Sequence, residues 1–152
     1  MYKYIFIISL FLFVNDKTYS YPVGKGLSCF ANSKERSFDH KIFRGLFFES
    51  EKSVRVVSFK NKNNSLKIIS KQTHYKISDD QIKFKIKFIW YGSISFEDFI
   101  LDRNTLMLEH VSKNNQNKLS CEILSGNFMH EMNQIKSSFQ LNYDQELKKN
   151  KI

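Results

Sequence analysis

Lys83, Lys85 and Lys87 occupy alternate positions in the string QIKFKIKFIWYG, with Ile82, Phe84, Ile86, Phe88 and Trp90 between and beyond them. Strict alternation of this kind is the pattern of a β-strand with one wet and one buried face. Same-face neighbours on a strand stand about 7 Å apart. With Lys76, the three lysines form the ordered basic array of the chain, and Lys76, Lys83, Lys85 and Lys87 are the candidate anion-binding set. Anionic lipid and acidic polysaccharide are the partner classes such a row suits. A base-stacking platform needs aromatics and cations on one surface, whereas alternation sends the aromatics of this strand to the opposite side. Sequence-specific reading of nucleic acid is therefore not expected. The bland alternative is a solvated sheet face that needs no partner.

No other set of residues nominates chemistry. His40, His74, His110 and His130 are scattered, and none stands at metal-ligand spacing from another histidine or a cysteine. His74 and His110 fall in strand-like strings and would have to meet across a sheet to act together. Asp79-Asp80 reads as a turn. Glu97-Asp98 lies in a strand, which points the two carboxylates to opposite sides and rules them out as an acid–base dyad. No nucleophile elbow, phosphate loop, dinucleotide fingerprint or HExxH helix is present. No catalytic residue, metal site or cofactor is assigned. A non-enzymatic binding or envelope-associated role follows, and a hydrolase whose site is assembled from distant residues is one alternative.

The location is better marked than the chemistry. Lys3 precedes an apolar run from Tyr4 to Val14, and Thr18 and Ser20 place small residues at -3 and -1 of a cleavage site. The run is shorter than the roughly 18–20 apolar residues that cross a bilayer. Residues 1–20 therefore read as a signal peptide, with Tyr21 opening a mature chain that has no transmembrane segment and is periplasmic or extracellular. The two cysteines, Cys29 and Cys121, travel to an oxidising compartment in the similar strings LSCF and LSCE, where a structural disulfide is expected. Gly26 stands where a lipoprotein attachment site at Cys29 would want Leu. Removing residues 1–20 takes the formal charge from +9 to about +8, which favours anionic partners. Abundant Lys, Asn, Ile, Phe and Tyr, with scarce Ala, Gly and Pro, also fit the drift of an AT-rich genome.

Most of the mature chain is strand-like. Lys41–Glu49 carries apolar residues on both sides of Gly45, which marks a bulge or a close approach. Ser53–Phe59 and Leu66–Ser70 flank a polar loop, KNKNNS, whose Asn63-x-Ser65 acceptor motif is one expected by chance in so Asn-rich a chain. Thr73–Ile77, the lysine strand, Ser95–Leu101, Thr105–Val111 and Lys118–Leu124 follow, separated by Asp79-Asp80, Gly92-Ser93, Asp102-Arg103-Asn104 and Asn114–Asn117. Seven to nine short strands with hairpin-length connections predict a mainly β fold, an antiparallel meander curled as a barrel or sandwich. Phe128, Met132, Ile135 and Phe139 then fall at helical spacing. They predict one amphipathic helix over about Asn127–Leu141, capped by Ser125 or Asn127 and packed over an end or face of the sheet. The single domain spans 21–141, and 142–152 reads as a charged tail. An eight-strand meander with a trailing helix also has the element order of a lipocalin-like carrier. Phe84, Phe88, Trp90 and Phe96 are the candidate lining for a small apolar ligand.

The string ILDRNTLML, followed by LSCEIL and a short helix, resembles small exported proteins of uncharacterised function from AT-rich bacteria. Cys29, the Leu101–Leu108 hairpin and Cys121 carry the likeness. It implies a fold type and an exported location; it brings no activity and no site residues.

Overall fold

The computed structural model describes residues 20–31, 43–90, 93–111 and 116–149, with only the backbone described at 88–90, 93 and 116. Residues 1–19, on which most of the expected signal peptide falls, the stretch 32–42 with His40, and the last three residues lie outside this set. Eight strands follow in chain order: β1 (Gly26–Phe30), β2 (Arg44–Phe48), β3 (Ser53–Lys62), β4 (Ser65–Ser78), β5 (Gln81–Trp90), β6 (Ser93–Asp102), β7 (Met107–Val111) and β8 (Gln116–Leu124). Each pairs antiparallel with the next, and β8 returns to β1, so the sheet is a closed barrel rather than a sandwich. A single helix, α1 (Phe128–Lys149), follows the last strand.

Closure is made by β1. Its residues Gly26–Cys29 pair with Phe47–Arg44 of β2, and Gly26–Phe30 pair with Leu124–Ser120 of β8. Cys29 and Cys121 are direct partners in that second ladder and form a disulfide across a sequence separation of 92. The bridge therefore lies in the seam that joins the start of the sheet to its end.

Two apolar cores result, one on each side of the wall. Inward-pointing residues such as Leu46, Phe48, Val54, Ile82, Phe84, Phe99, Leu101 and Leu108 fill the barrel. The Phe84 and Phe99 rings stack at 5.2 Å, and Phe48 meets Tyr75 edge-on at 5.3 Å. Outside, Phe30, Phe43, Val57, Phe59 and Leu66 form a second cluster with Phe128, Met132 and Phe139 of the helix. Strands covered on both faces lose alternation and read as continuous apolar runs. That is why LFF (Leu46–Phe48) and VRVVSF (Val54–Phe59) are apolar on both sides, while the lysine strand, with no helix over it, alternates cleanly.

Gly45 is a close approach. A Cβ there would sit 2.5 Å from the Met132 sulfur and 3.3 Å from Val57, so the outer wall has room for the helix only because this position is bare. Phe139 closes the cluster edge-on to Phe43 and Phe59, whose own rings stack at 4.8 Å.

Three expectations change in detail. The segments 66–70 and 73–77 are one continuous strand, β4, because its first part pairs with β3 from Ser65 to His74 and its last part with β5. The β3–β4 loop shrinks to Asn63-Asn64, at φ 54° and 60°, the positive φ at both positions that a two-residue type I′ turn needs and that Asn tolerates. The helix also runs to Lys149, past the expected end at Leu141. The Asn127 side chain accepts from the His130 N–H at its start. Gln140 accepts from the Leu66 N–H and donates to the Asn64 carbonyl, which anchors the helix beyond its apolar stripe. Lys148 and Lys149 in the last turn suit the negative end of the helix dipole.

Replacing Cys29 and Cys121 together by Ala is expected to lower unfolding free energy by about 2–5 kcal/mol in denaturant titrations. Gly45→Ala is expected to cost about 1–3 kcal/mol through overpacking against Met132, and Met132→Ala in the same chain should recover part of the Gly45→Ala loss.

Candidate functional site

The β4–β5 ladder is short. Backbone pairing runs only from Tyr75↔Phe84 to Ser78↔Gln81. Above it the strands part, and side chains take over the bonding. The Thr73 hydroxyl donates to the Lys85 carbonyl at 2.6 Å, and the Lys71 ammonium donates to the Lys87 carbonyl at 2.8 Å. Backbone acceptors that a neighbouring strand would normally occupy are met here by reach across a gap.

A groove of about 770 Å³ opens at this junction. Lys52, His74 and Lys76 border it from the β3–β4 side, Lys83 and Lys85 from β5, and Asp98, Ile100 and Val111 from β6 and β7. Four lysines face a single aspartate, and that aspartate is engaged by Lys85 at 3.0 Å. Ile100 and Val111 supply an apolar surface beside the cations. The volume falls within the roughly 300–1,000 Å³ of small-molecule sites.

The structure places Lys76, Lys83 and Lys85 together on this groove, while Lys87 stands next along the same outward face of β5. Phe84 points into the barrel, stacks on Phe99 and is among the residues that line the groove. Phe96, on β6, points outward and is 61% exposed, so the two do not share a lining. Phe88 and Trp90 lie on β5, and their side chains are outside the described residues. The outward face of β5–β6 is not free of aromatics: Phe96 sits directly across from Lys87. Alternation within one strand hides this, because the ring comes from the neighbouring strand.

A second polar cluster lies inside the barrel, at the end where β1 leads towards β2. Arg44, Glu97 and His110 occupy the inward parity of β2, β6 and β7, the parity of Leu46, Phe99 and Leu108. His110 Nε2 and Glu97 Oε2 lie 3.0 Å apart, both atoms shut off from solvent, close in distance but poorly aligned as a hydrogen bond. The His110 ring stacks on Phe99 at 4.8 Å, and the Arg44 guanidinium donates to the Phe43 carbonyl at 2.7 Å. Arg44, His110, Phe99, Asn117 and Leu119 surround a void of about 10 Å³, room for one water. Burial pushes the His110 imidazole below its ordinary range; Glu97 pulls it back up, and Arg44 lowers it further. Burial likewise lowers Arg44, with Glu97 opposing.

Sequence reasoning did not assemble this cluster. Glu97 and Asp98 do face opposite ways, Glu97 inward to His110 and Asp98 outward to Lys85. His110 and His74 do not meet: His74 is bonded to the Lys52 carbonyl on the outer surface. The missed signal is an Arg, a Glu and a His at inward parity in three separate strands, legible only once the strands are in register. No group of three or more metal-ligating side chains occurs among the described residues, nor does any helix long and apolar enough to cross a membrane. Compared with family models, curated proteins and solved structures, the chain matches none.

The His110 environment sets a sign for pH dependence. An unfolded histidine takes up its proton near pH 6.5. The folded state resists it, so the unfolded state binds more protons as pH falls through that value and stability is lost. Unfolding free energy is expected to be flat above about pH 7 in this respect and to decline below about pH 6.5. His110→Phe should reduce that slope in denaturant titrations run across the window. An unchanged slope would mean that other groups govern it.

Proposed function

We propose that this protein is an exported, non-enzymatic binding protein whose outer groove takes an anionic, partly apolar small molecule. The observation that carries the reading is the 770 Å³ groove, with Lys52, Lys76, Lys83 and Lys85 beside Ile100 and Val111. Cations set close to apolar side chains recognise a ligand that has both an acidic head and a hydrocarbon part. The head is held by long, flexible ammonium groups rather than by a rigid fork, which favours a charge over a particular anion geometry. Export after cleavage beyond Ser20 agrees with the disulfide, since such bridges persist in oxidising compartments.

A lipocalin-like carrier is the second reading, favoured by the closed eight-strand barrel with its trailing helix. In this chain the Phe84–Phe99 stack occupies the interior level with the groove, and both residues also line it. The apolar part of a cargo would lie against Phe84, Phe99, Ile100 and Val111, the apolar residues that line the groove.

Calorimetric titration with octyl sulfate, and with octyl glucoside as the neutral control, tests the groove. Octyl sulfate is expected to bind more tightly, with affinity that falls as salt rises and the screening length shrinks. Lys76→Gln with Lys83→Gln should weaken it about tenfold or more, at roughly 1 kcal/mol per exposed charge contact. Equal binding of the two amphiphiles, or no effect of the double substitution, would overturn the reading.

A further inference from the structure

The far half of the β5–β6 hairpin is tied to its neighbouring strands by side chains: Thr73 and Lys71 of β4 donate to the Lys85 and Lys87 carbonyls, and Glu97 faces His110 of β7. β7 pairs with β6 only from Asp98 onward, and β4 pairs with β5 only as far as Phe84. Beyond those points Lys85–Trp90 and Ser93–Glu97 are laddered to each other alone among the described residues. On the outward face of this ribbon, Ile94 is 56% exposed and Phe96 is 61% exposed. Lys87 is the cross-strand partner of Phe96, and Lys85 and Lys83 continue the row towards the barrel. Large apolar side chains left in water on the outward face of a strand pair, beside a row of lysines, are an amphipathic surface in miniature.

We propose that this hairpin docks the protein on an anionic lipid bilayer, with Ile94 and Phe96 seated in the interface and Lys87 among the headgroups. An aromatic ring and a branched aliphatic suit the apolar side of that boundary, and the lysine stem reaches back to the charged layer. The charge on the face argues against a second copy as the occupant. A two-fold contact through this patch would set the lysine row against itself, since of the acids at outward positions of β6, Asp98 is already engaged by Lys85 and Asp102 by the Asn104 and Thr105 N–H groups. The proposal deepens the groove reading by making a membrane the source of an acidic amphiphile. It stands on Ile94, Phe96 and Lys87, none of which lines the groove.

The test is co-sedimentation of the protein, purified from its exported form, with vesicles of phosphatidylglycerol and phosphatidylcholine or of phosphatidylcholine alone. Binding is expected to the anionic vesicles and to weaken in high salt. Ile94→Ser with Phe96→Ser should reduce it at least tenfold, because both side chains leave the interface. Lys87→Gln should reduce it about fivefold, the effect of one basic residue at an anionic surface. Both variants should keep the wild-type melting temperature and octyl sulfate affinity, which separates this proposal from the groove. Equal sedimentation with neutral and anionic vesicles, sedimentation with neither, or wild-type binding by the Ser variant would overturn it. So would a Ser variant that loses binding to a single-stranded oligonucleotide while the wild type ignores vesicles.

Discussion

Everything in this molecule depends on β1 lying between β2 and β8. Four residues, Gly26–Cys29, take part in two ladders at once, Phe30 joins the ladder with β8, and all five residues of the strand are buried. Without that strand the remaining seven would form an open sheet, with an unpaired edge at each end. With it, the wall closes, alternate residues acquire an inside and an outside, and each later side chain inherits its environment from its parity. The disulfide fixes the same seam covalently, at a point where Cys29 and Cys121 are already ladder partners. It reinforces a pairing that the hydrogen bonds specify.

Parity explains why the helix sits where it does. The outer wall from β1 to β4 carries Phe30, Val57, Phe59 and Leu66, which no barrel interior can bury. A helix with Phe128, Met132 and Phe139 on one stripe is the cover they require. The opposite side of the barrel, β5 and β6, presents Lys83, Lys85 and Asp98 and is uncovered among the described residues. The molecule is thus two-sided, with an apolar flank sealed by its own helix and a lysine-bearing flank that no other described element covers.

Much of this was legible in the residues. The lysine strand, the turn residues, the helical stripe and the cysteine pair carry local patterns, and periodicity finds local patterns. Barrel closure does not have such a signature, because a sandwich uses the same alternation. The split of β4 into two apparent segments arose from the polar Lys71-Gln72 in its middle, where Lys71 is spent on bridging to β5. The helix outran its apolar stripe because its last part is held by Gln140 and Tyr143 at the Asn63-Asn64 turn, a contact between residues more than seventy positions apart. In the groove, Lys76, Lys83 and Lys85 were visible as a row, but Ile100 and Val111 came from other strands. The cluster of Arg44, Glu97 and His110 was hidden for the same reason: each member is unremarkable in its own strand.

The parted upper half of β4 and β5 has a mechanical meaning. Counted around the wall, this junction is four strands away from the β8–β1 seam in either direction. One seam is covalently tied, and the other is closed along part of its length by the tips of Thr73 and Lys71. A cylinder fastened on one side and only stitched on the other behaves as a clamshell, with its hinge at the disulfide and its lips at the stitches. Thermal breathing is thereby directed to the lips, and the wall gives first beside the basic groove while the helix-covered flank stays shut.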